Sequence, residues 1–395
     1  CETLFRPDTQ GKPVVVLSNN DGCIIARNTL AKKLGIPMGL PIFKIKKKPY
    51  FESLVIFSSN YALYADMSNR FHKTLANMGH LTYRYSVDEA FVELPDGLDY
   101  HKIGAEISER IRRHVGLPVT VGIGPSKVLA KLSGHFAKRS QEPSFCFEKG
   151  QPIDKYLHYT PVSELWGVGR RWAKKCNALG IHSAKDLRDT PSETLQAKFN
   201  KHMVQMQWEL KGTPCIGFSK EDPKSILSSR SFVPDIHDLD TLLSATGYLA
   251  KTAILKLQKH KQQSGLLTVF LKSNRFKTPY YSNSHSMALA VPSDQFHILI
   301  PQLKSMMRSL YRNDFSYKRA GILLQELCPN TQVPLPIFQS PKENKLEDAI
   351  QAIQAKHGKN LMKWSSDLLY EDFKFKQESV SPRFTTEWGE LLEVT

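Results

Sequence analysis

Acidic residues are scarce in this chain: 38 Asp and Glu stand against 54 Lys and Arg in 395 residues, a formal charge of +16. That imbalance points to a partner of dense negative charge, nucleic acid first and an anionic membrane surface second. Long apolar runs are also missing. Hydrophobic residues make up 41% of the chain, yet no run approaches the roughly 18–20 residues that span a bilayer, so no membrane partner is expected. The six cysteines, at 1, 23, 146, 176, 215 and 328, form no C-x-x-C pair. This argues against a zinc ribbon or a disulfide framework and for a reducing, cytoplasmic setting. The thirteen histidines show no H-x-x-x-H spacing, and there is no internal repeat, low-complexity tract or basic-then-apolar start.

At this length two to four domains are expected. The run Lys12-Pro-Val-Val-Val-Leu17 reads as a buried strand and Asn19-Asn-Asp-Gly22 as a turn. Ile24 to Leu34 has helical spacing and ends at Gly35, a natural cap. Tyr83 to Leu94 gives two β stretches around an acidic centre, followed by a helix from Ile103 to His114. A strand over Leu117–Ile123 and a helix over Val128–Ala137 come next. This alternation implies an α/β (α+β) fold with helices on one sheet face. Residues 160–212 read as helical throughout. From Ser225 the order is β-α-β-β-α-β, a self-contained split unit, and a Pro-rich, then charged tail follows Pro329.

Asp88-Glu89 is the sharpest chemical feature. Adjacent strand residues point to opposite faces, so two neighbouring carboxylates converge only where the strand turns. Converging carboxylates suit magnesium, a hard cation that takes oxygen ligands. Gly122-Ile-Gly-Pro-Ser-Lys127, with Lys131 and Lys138 on the helix after it, offers backbone approach and positive charge to a triphosphate. Arg27 and Lys32 add charge, and Tyr61 and Tyr64 add hydroxyl donors. Trp166-Gly-Val-Gly-Arg170 followed by Leu179-Gly-Ile181 has the form of a helix-hairpin-helix, whose exposed backbone N–H groups hold a phosphate without reading bases.

Taken in order, these motifs resemble the Y-family translesion DNA polymerases, UmuC type. The matching text is Lys12 to Cys23, Ser58 to Ser68, Tyr85-Ser-Val-Asp-Glu-Ala-Phe91, Trp166-Gly-Val-Gly-Arg-Arg171 and Ser381-Pro-Arg-Phe-Thr-Thr386. The resemblance implies a right hand with an added little finger. Its palm would be residues 1–10 and 65–159, its fingers 11–64, and its helix-hairpin-helix thumb 160–224. The split-βαβ little finger would be 225–328, with a tail over 329–395. It implies that Asp88 and Glu89 are catalytic and bind two Mg2+ ions, and that dNTP meets Arg27, Lys32, Tyr64 and Lys138. Thr29 and Lys32 occupy the places of the family's fingers tyrosine and arginine. Gly167, Gly169, Arg170, Arg171 and Arg230 would contact DNA. Gln332, Leu335, Ile337 and Phe338 resemble the peptide that docks on a sliding clamp.

The implied function is error-prone translesion synthesis on damaged primer-template DNA in the SOS response. The implied partners are a UmuD′-like dimer and a RecA filament, and the implied setting is the bacterial nucleoid. Members of the family carry a further metal-binding Asp in an Asp-x-Asn-x-Phe-Tyr strand, and Cys1-Glu2 matches the residues directly after that strand. Two readings therefore stand: an active polymerase that uses that Asp, and a catalytically inactive DNA- and partner-binding subunit. A nucleotidyl cyclase-like palm is disfavoured by the helix-hairpin-helix and the basic little finger.

Overall fold

The structure, a computed structural model, describes residues 1–218, 222–332, 349, 352–353 and 376–391. These fall into two compact units, Cys1–Ser219 with Glu378–Thr395, and Lys220–Gln377.

The first unit opens with a short helix, α1 (Glu2–Phe5), and a strand buried on both faces, β1 (Val14–Leu17). Val15 and Leu17 turn to a small core with Ile24, Ala31, Ile36 and Ile45, while Val14 and Val16 pack with Phe57. β1 pairs antiparallel with β2 (Ile24–Arg27) and parallel with β3 (Val55–Ser58). Here the structure corrects the sequence reading: Ile24–Arg27 is a strand, and only α2 (Thr29–Lys33) is helical. Asn28 divides the two. Its side-chain carbonyl accepts from Ala31 N at 2.9 Å, capping α2, and from Val14 N at 3.0 Å, while its amide donates to Lys12 O at 2.8 Å.

Helix α3 (Tyr61–Ala76) lays Leu63, Met67, Phe71 and Leu75, a four-residue repeat, against Ile107, Ile111 and Val115 of α4 (Tyr100–Val115). Between them β4 (Thr82–Arg84) and β5 (Ala90–Val92) form an antiparallel hairpin. β6 (Val121–Ile123) then leads into α5 (Lys127–Ser140), and β7 (Ser144–Cys146) returns parallel to β6. A Cβ on Gly122 would lie 2.1 Å from Ala130 O and 2.2 Å from Gly134 N. The glycine therefore serves a close strand-on-helix crossing and not, as the sequence suggested, the approach of a ligand. Among the described residues five helices follow: α6 (Asp154–His158), α7 (Arg170–Ala178), α8 (Ala184–Asp189), α9 (Ser192–Lys198) and α10 (Lys201–Leu210).

The second unit is the β-α-β-β-α-β element, made of β8 (Ile226–Ile236), α11 (Leu239–Lys259), β9 (Gln262–Ser273), β10 (Ser282–Ser293), α12 (Phe296–Leu310) and β11 (Tyr317–Pro329). Its sheet runs β10-β9-β11-β8, antiparallel throughout, and both helices bury their apolar sides in its core. No helix among the described residues is long and apolar enough to cross a membrane.

Candidate active site

The β4–β5 hairpin ends in a turn closed by the N–H groups of Tyr85 and Ser86, which both donate to Glu89 O, at 3.1 and 3.0 Å. Asp88 is exposed at its tip, where its Oδ1 accepts from the Ser86 hydroxyl at 2.7 Å. Glu89 is ion-paired with Lys131 of α5. The sequence reading gave Lys131 to a triphosphate; the structure gives it to the second carboxylate. Behind the turn, His72 Nε2 meets Ser86 O at 3.0 Å, and burial lowers the imidazole pKa.

An aromatic cluster supports the hairpin. Trp166 Nε1 donates to Tyr85 Oη at 3.0 Å, and Phe218 stacks on Tyr83 at 3.8 Å. Lys127 Nζ sits 3.4 Å above the Phe218 ring, and burial lowers its pKa. Glu209 of α10 is fully buried and accepts from Val128 N at 3.1 Å, Cys215 N at 2.7 Å and Ile216 N at 2.9 Å. One carboxylate thus ties three segments: α10, the chain after it, and the first turn of α5. A charged residue amid Gln207, Trp208 and Leu210 was the only sequence signal, and it names no partner.

Of the four proposed nucleotide residues, two come together. Lys32 and Lys138 line one open cleft of about 550 Å³ with Thr29, Thr120 and Gln141. Tyr64 points elsewhere: its hydroxyl binds the Glu2 carboxylate, and burial together with that carboxylate pushes its pKa well above the ordinary tyrosine value. Arg27 lies on β2, not on a helix, and its guanidinium folds back onto Ile36 O. Neither placement is that of a residue holding a triphosphate.

For magnesium, Asp88 and Glu89 supply hard oxygen donors on an accessible tip, and to that extent they fit. Among the described residues no three His, Cys, Asp or Glu side chains converge on a point. These two alone make only part of a two-ion ligand set.

Gly167, Gly169, Arg170 and Arg171 gather at the start of α7. Gly167 has a φ of +94°, and a Cβ there would meet His202 Nε2 at 3.3 Å. Gly169 is the N-cap and brings no side-chain cap, leaving the first N–H groups of α7 to solvent or a ligand, while Arg170 and Arg171 are exposed. Arg230 differs from expectation. It lies on the helix-facing side of β8, 8% exposed, with its guanidinium 5.4 Å from the Tyr248 ring, and burial lowers its pKa. The opposite face of that sheet carries a feature that sequence reasoning missed. Phe270 lies across Gly321, whose Cβ would come 2.2 Å from the ring, and Lys272 and Arg319 flank it at 5.5 and 5.9 Å. A glycine inside an apolar strand was the signal. Of the clamp-type peptide, Leu335, Ile337 and Phe338 lie outside the described residues. Gln332 ends a described turn, Asn330–Gln332, with no side-chain placement.

Comparison with known proteins gives concordant matches. Residues 1–135 match the impB/mucB/samB family, residues 223–337 its C-terminal domain, and residues 344–394 a domain of unknown function (DUF4113). The chain is 36% identical to Protein UmuC of Salmonella typhimurium, covering 100% of this chain and 97% of that protein. It is 31% identical to Protein MucB of Escherichia coli, covering 99% and 96%. It is 24% identical to DNA polymerase IV of Bacillus anthracis, covering 97% and 94%. Among solved structures, the Y-family DNA polymerase chimera Dbh-Dpo4(243-245)-Dbh superposes with a TM-score of 0.65 at 21% identity, covering 83% of this chain and 96% of that one. An insertion ternary complex of Dbh DNA polymerase gives 0.52 at 20%, with the same coverage.

Proposed function

Since the chain belongs to the impB/mucB/samB family of Y-family polymerases, we propose that it is a DNA-directed DNA polymerase of translesion synthesis, adding nucleotides to a primer 3′-hydroxyl opposite damaged template. The observation that carries this reading is the exposed Asp88 beside the half-buried, Lys131-paired Glu89 at the hairpin tip, in a chain that matches UmuC along its whole length. The palm, fingers, thumb and little-finger boundaries, the SOS setting, and the UmuD′-like, RecA and sliding-clamp partners belong to the same proposal.

In this reading Asp88 and Glu89 would hold Mg2+ together with a further carboxylate of the family's Asp-bearing strand. When bound, the metal neutralises phosphate charge and lowers the pKa of the attacking hydroxyl. The chain's own residues do the rest by positioning. Ser86 fixes the Asp88 rotamer, and Lys131 holds Glu89 to α5. Lys32 and Lys138 line a cleft that suits the anionic triphosphate. The exposed start of α7 offers N–H groups and arginines to the DNA backbone, and the Phe270 face offers cations beside a flat apolar surface.

The test is primer extension across an abasic site, using the chain with whatever residues its gene encodes ahead of Cys1. Asp88→Ala should abolish extension while leaving DNA affinity intact. Extension that survives Asp88→Ala sinks the proposed chemistry. DNA binding without extension in the unaltered chain would support the inactive-subunit reading instead.

A further inference from the structure

The two sites on which the proposed function rests meet through one pair of side chains. Val168 N donates to Leu165 O at 3.0 Å, closing a tight turn whose outer residues, Leu165 and Val168, are buried in the core. Gly167 takes the third position with a φ of +94°, as in a type II turn. Trp166 is left at the corner, its backbone held on both sides. Gly169 and the uncapped start of α7 follow at once.

From that corner Trp166 reaches the hairpin. Its Nε1 donates to Tyr85 Oη at 3.0 Å, across 81 positions, and the two rings meet edge-on with centroids 5.6 Å apart. Tyr85 begins the turn that carries Asp88 and Glu89: its N–H and that of Ser86 both close on Glu89 O. Helix α5 spans the same gap a second time. Lys131 is paired with Glu89 and lies 5.5 Å from the Tyr85 ring, and His135, one turn on, meets Glu164 Oε2 at 3.0 Å. Lys131, Glu164 and Trp166 line one small cavity of about 180 Å³. Tyr85 is 48% exposed, so either partner of the Trp166–Tyr85 bond can regain water and the bond adds little to stability. What it supplies is geometry.

We propose that Tyr85 and Trp166 are positioning residues for nucleotide addition, acting through their neighbours and not on the reacting atoms. Their bond fixes the turn that meets the DNA backbone against the turn that holds the carboxylates. It thereby sets where the primer 3′-hydroxyl lies relative to Asp88 and Glu89, a step that a displacement of about 1 Å slows strongly. DNA bound at the start of α7 steadies Trp166 and, through it, the Tyr85 turn. This rests on the polymerase reading above.

The experiment uses the full-length chain, primer-template DNA and a single dNTP. Tyr85→Phe removes the acceptor and Trp166→Phe the donor, and each keeps an aromatic ring in place. Each should lower kcat about three- to tenfold, with KM for dNTP and DNA affinity staying within about twofold. The double variant should be no slower than the worse single one, because either change alone already removes the bond. An unchanged kcat, losses that multiply in the double variant, or a loss that appears in KM or DNA affinity instead overturns the proposal. Amide exchange at Ser86 is read in parallel with DNA alone, without metal or nucleotide. DNA should slow it at least about threefold in the unaltered chain and leave it unchanged in both variants. No slowing in the unaltered chain, or slowing that persists in the variants, overturns the proposal as well. If the unaltered chain inserts no nucleotide, the polymerase reading fails by itself, and exchange alone then decides the link.

Discussion

Glu209→Ala probes the tie between α10 and α5. The carboxylate accepts three backbone N–H bonds, from Val128, Cys215 and Ile216, inside a site with no solvent exposure. Hydrogen bonds to a charged group contribute about 1.5–3 kcal/mol each, and stranding a buried donor costs about 1–3 kcal/mol. Cys215 is exposed and can regain water, whereas Val128 is 1% exposed and cannot. The variant should therefore lose about 3–5 kcal/mol of stability. Glu209→Gln can keep the Cys215 and Ile216 bonds through its amide oxygen, but it turns an NH2 toward Val128 N, so a loss of about 1–3 kcal/mol is expected. Urea unfolding followed by the fluorescence of Trp166, Trp172 and Trp208 reads both, with Glu209→Ala the larger. A Glu209→Ala chain within about 1 kcal/mol of the parent would refute the reasoning, because three bonds of this kind cannot vanish at so small a cost.

Four further outcomes are expected. Gly122→Ala drives a methyl into the α5 backbone at 2.1–2.2 Å and should cost more than about 3 kcal/mol in thermal unfolding. Gly150→Ala, at a φ of +83° in open space, should cost only about 1–2 kcal/mol. Lys131→Ala frees Glu89 from its ammonium, so calorimetric titration should show Mg2+ half-saturation falling about fivefold, and an unchanged or weaker value would contradict the pairing. Burial lowers the His72 pKa below the ordinary histidine value. The neutral ring's contribution to stability is therefore complete above that ordinary value and is lost as pH falls toward the lowered one. Hairpin stability should decline on acidification through this window, and His72→Gln, which keeps a donor toward Ser86 O without titrating, should flatten the decline.

The sequence was most legible where the determining contacts are local. The alternation broken at Asp88-Glu89 announced a hairpin tip, and the period changes after Ser225 announced the order of the second unit. It was least legible where a distant partner decides. Ile24–Arg27 carries helical spacing, but pairing with Val15–Leu17 makes it a strand. Arg27, Tyr64 and Arg230 are polar and well placed in sequence, yet long side chains turn toward whatever is nearest in space: Ile36 O, Glu2 and Tyr248. Lys131 meets Glu89 across 42 positions and Asn60 meets Ser381 across 321, separations at which residue spacing carries no information.

Residues 378–391, which return to the first unit, change the topology of the chain. The covalent path leaves the first unit near Ser219, runs through the second, and comes back to the first at Glu378. Among the described residues, the result is a closed circuit whose final join is made of hydrogen bonds and of the packing of Phe384 on Phe5 and the α3–α4 core. Such a join is intramolecular, so diluting the protein does not open it, and its occupancy depends on local free energy alone. Cutting the backbone anywhere within 333–375 would turn the circuit into an open chain while sparing every contact described above. It would thereby separate what the contacts do from what the closure does.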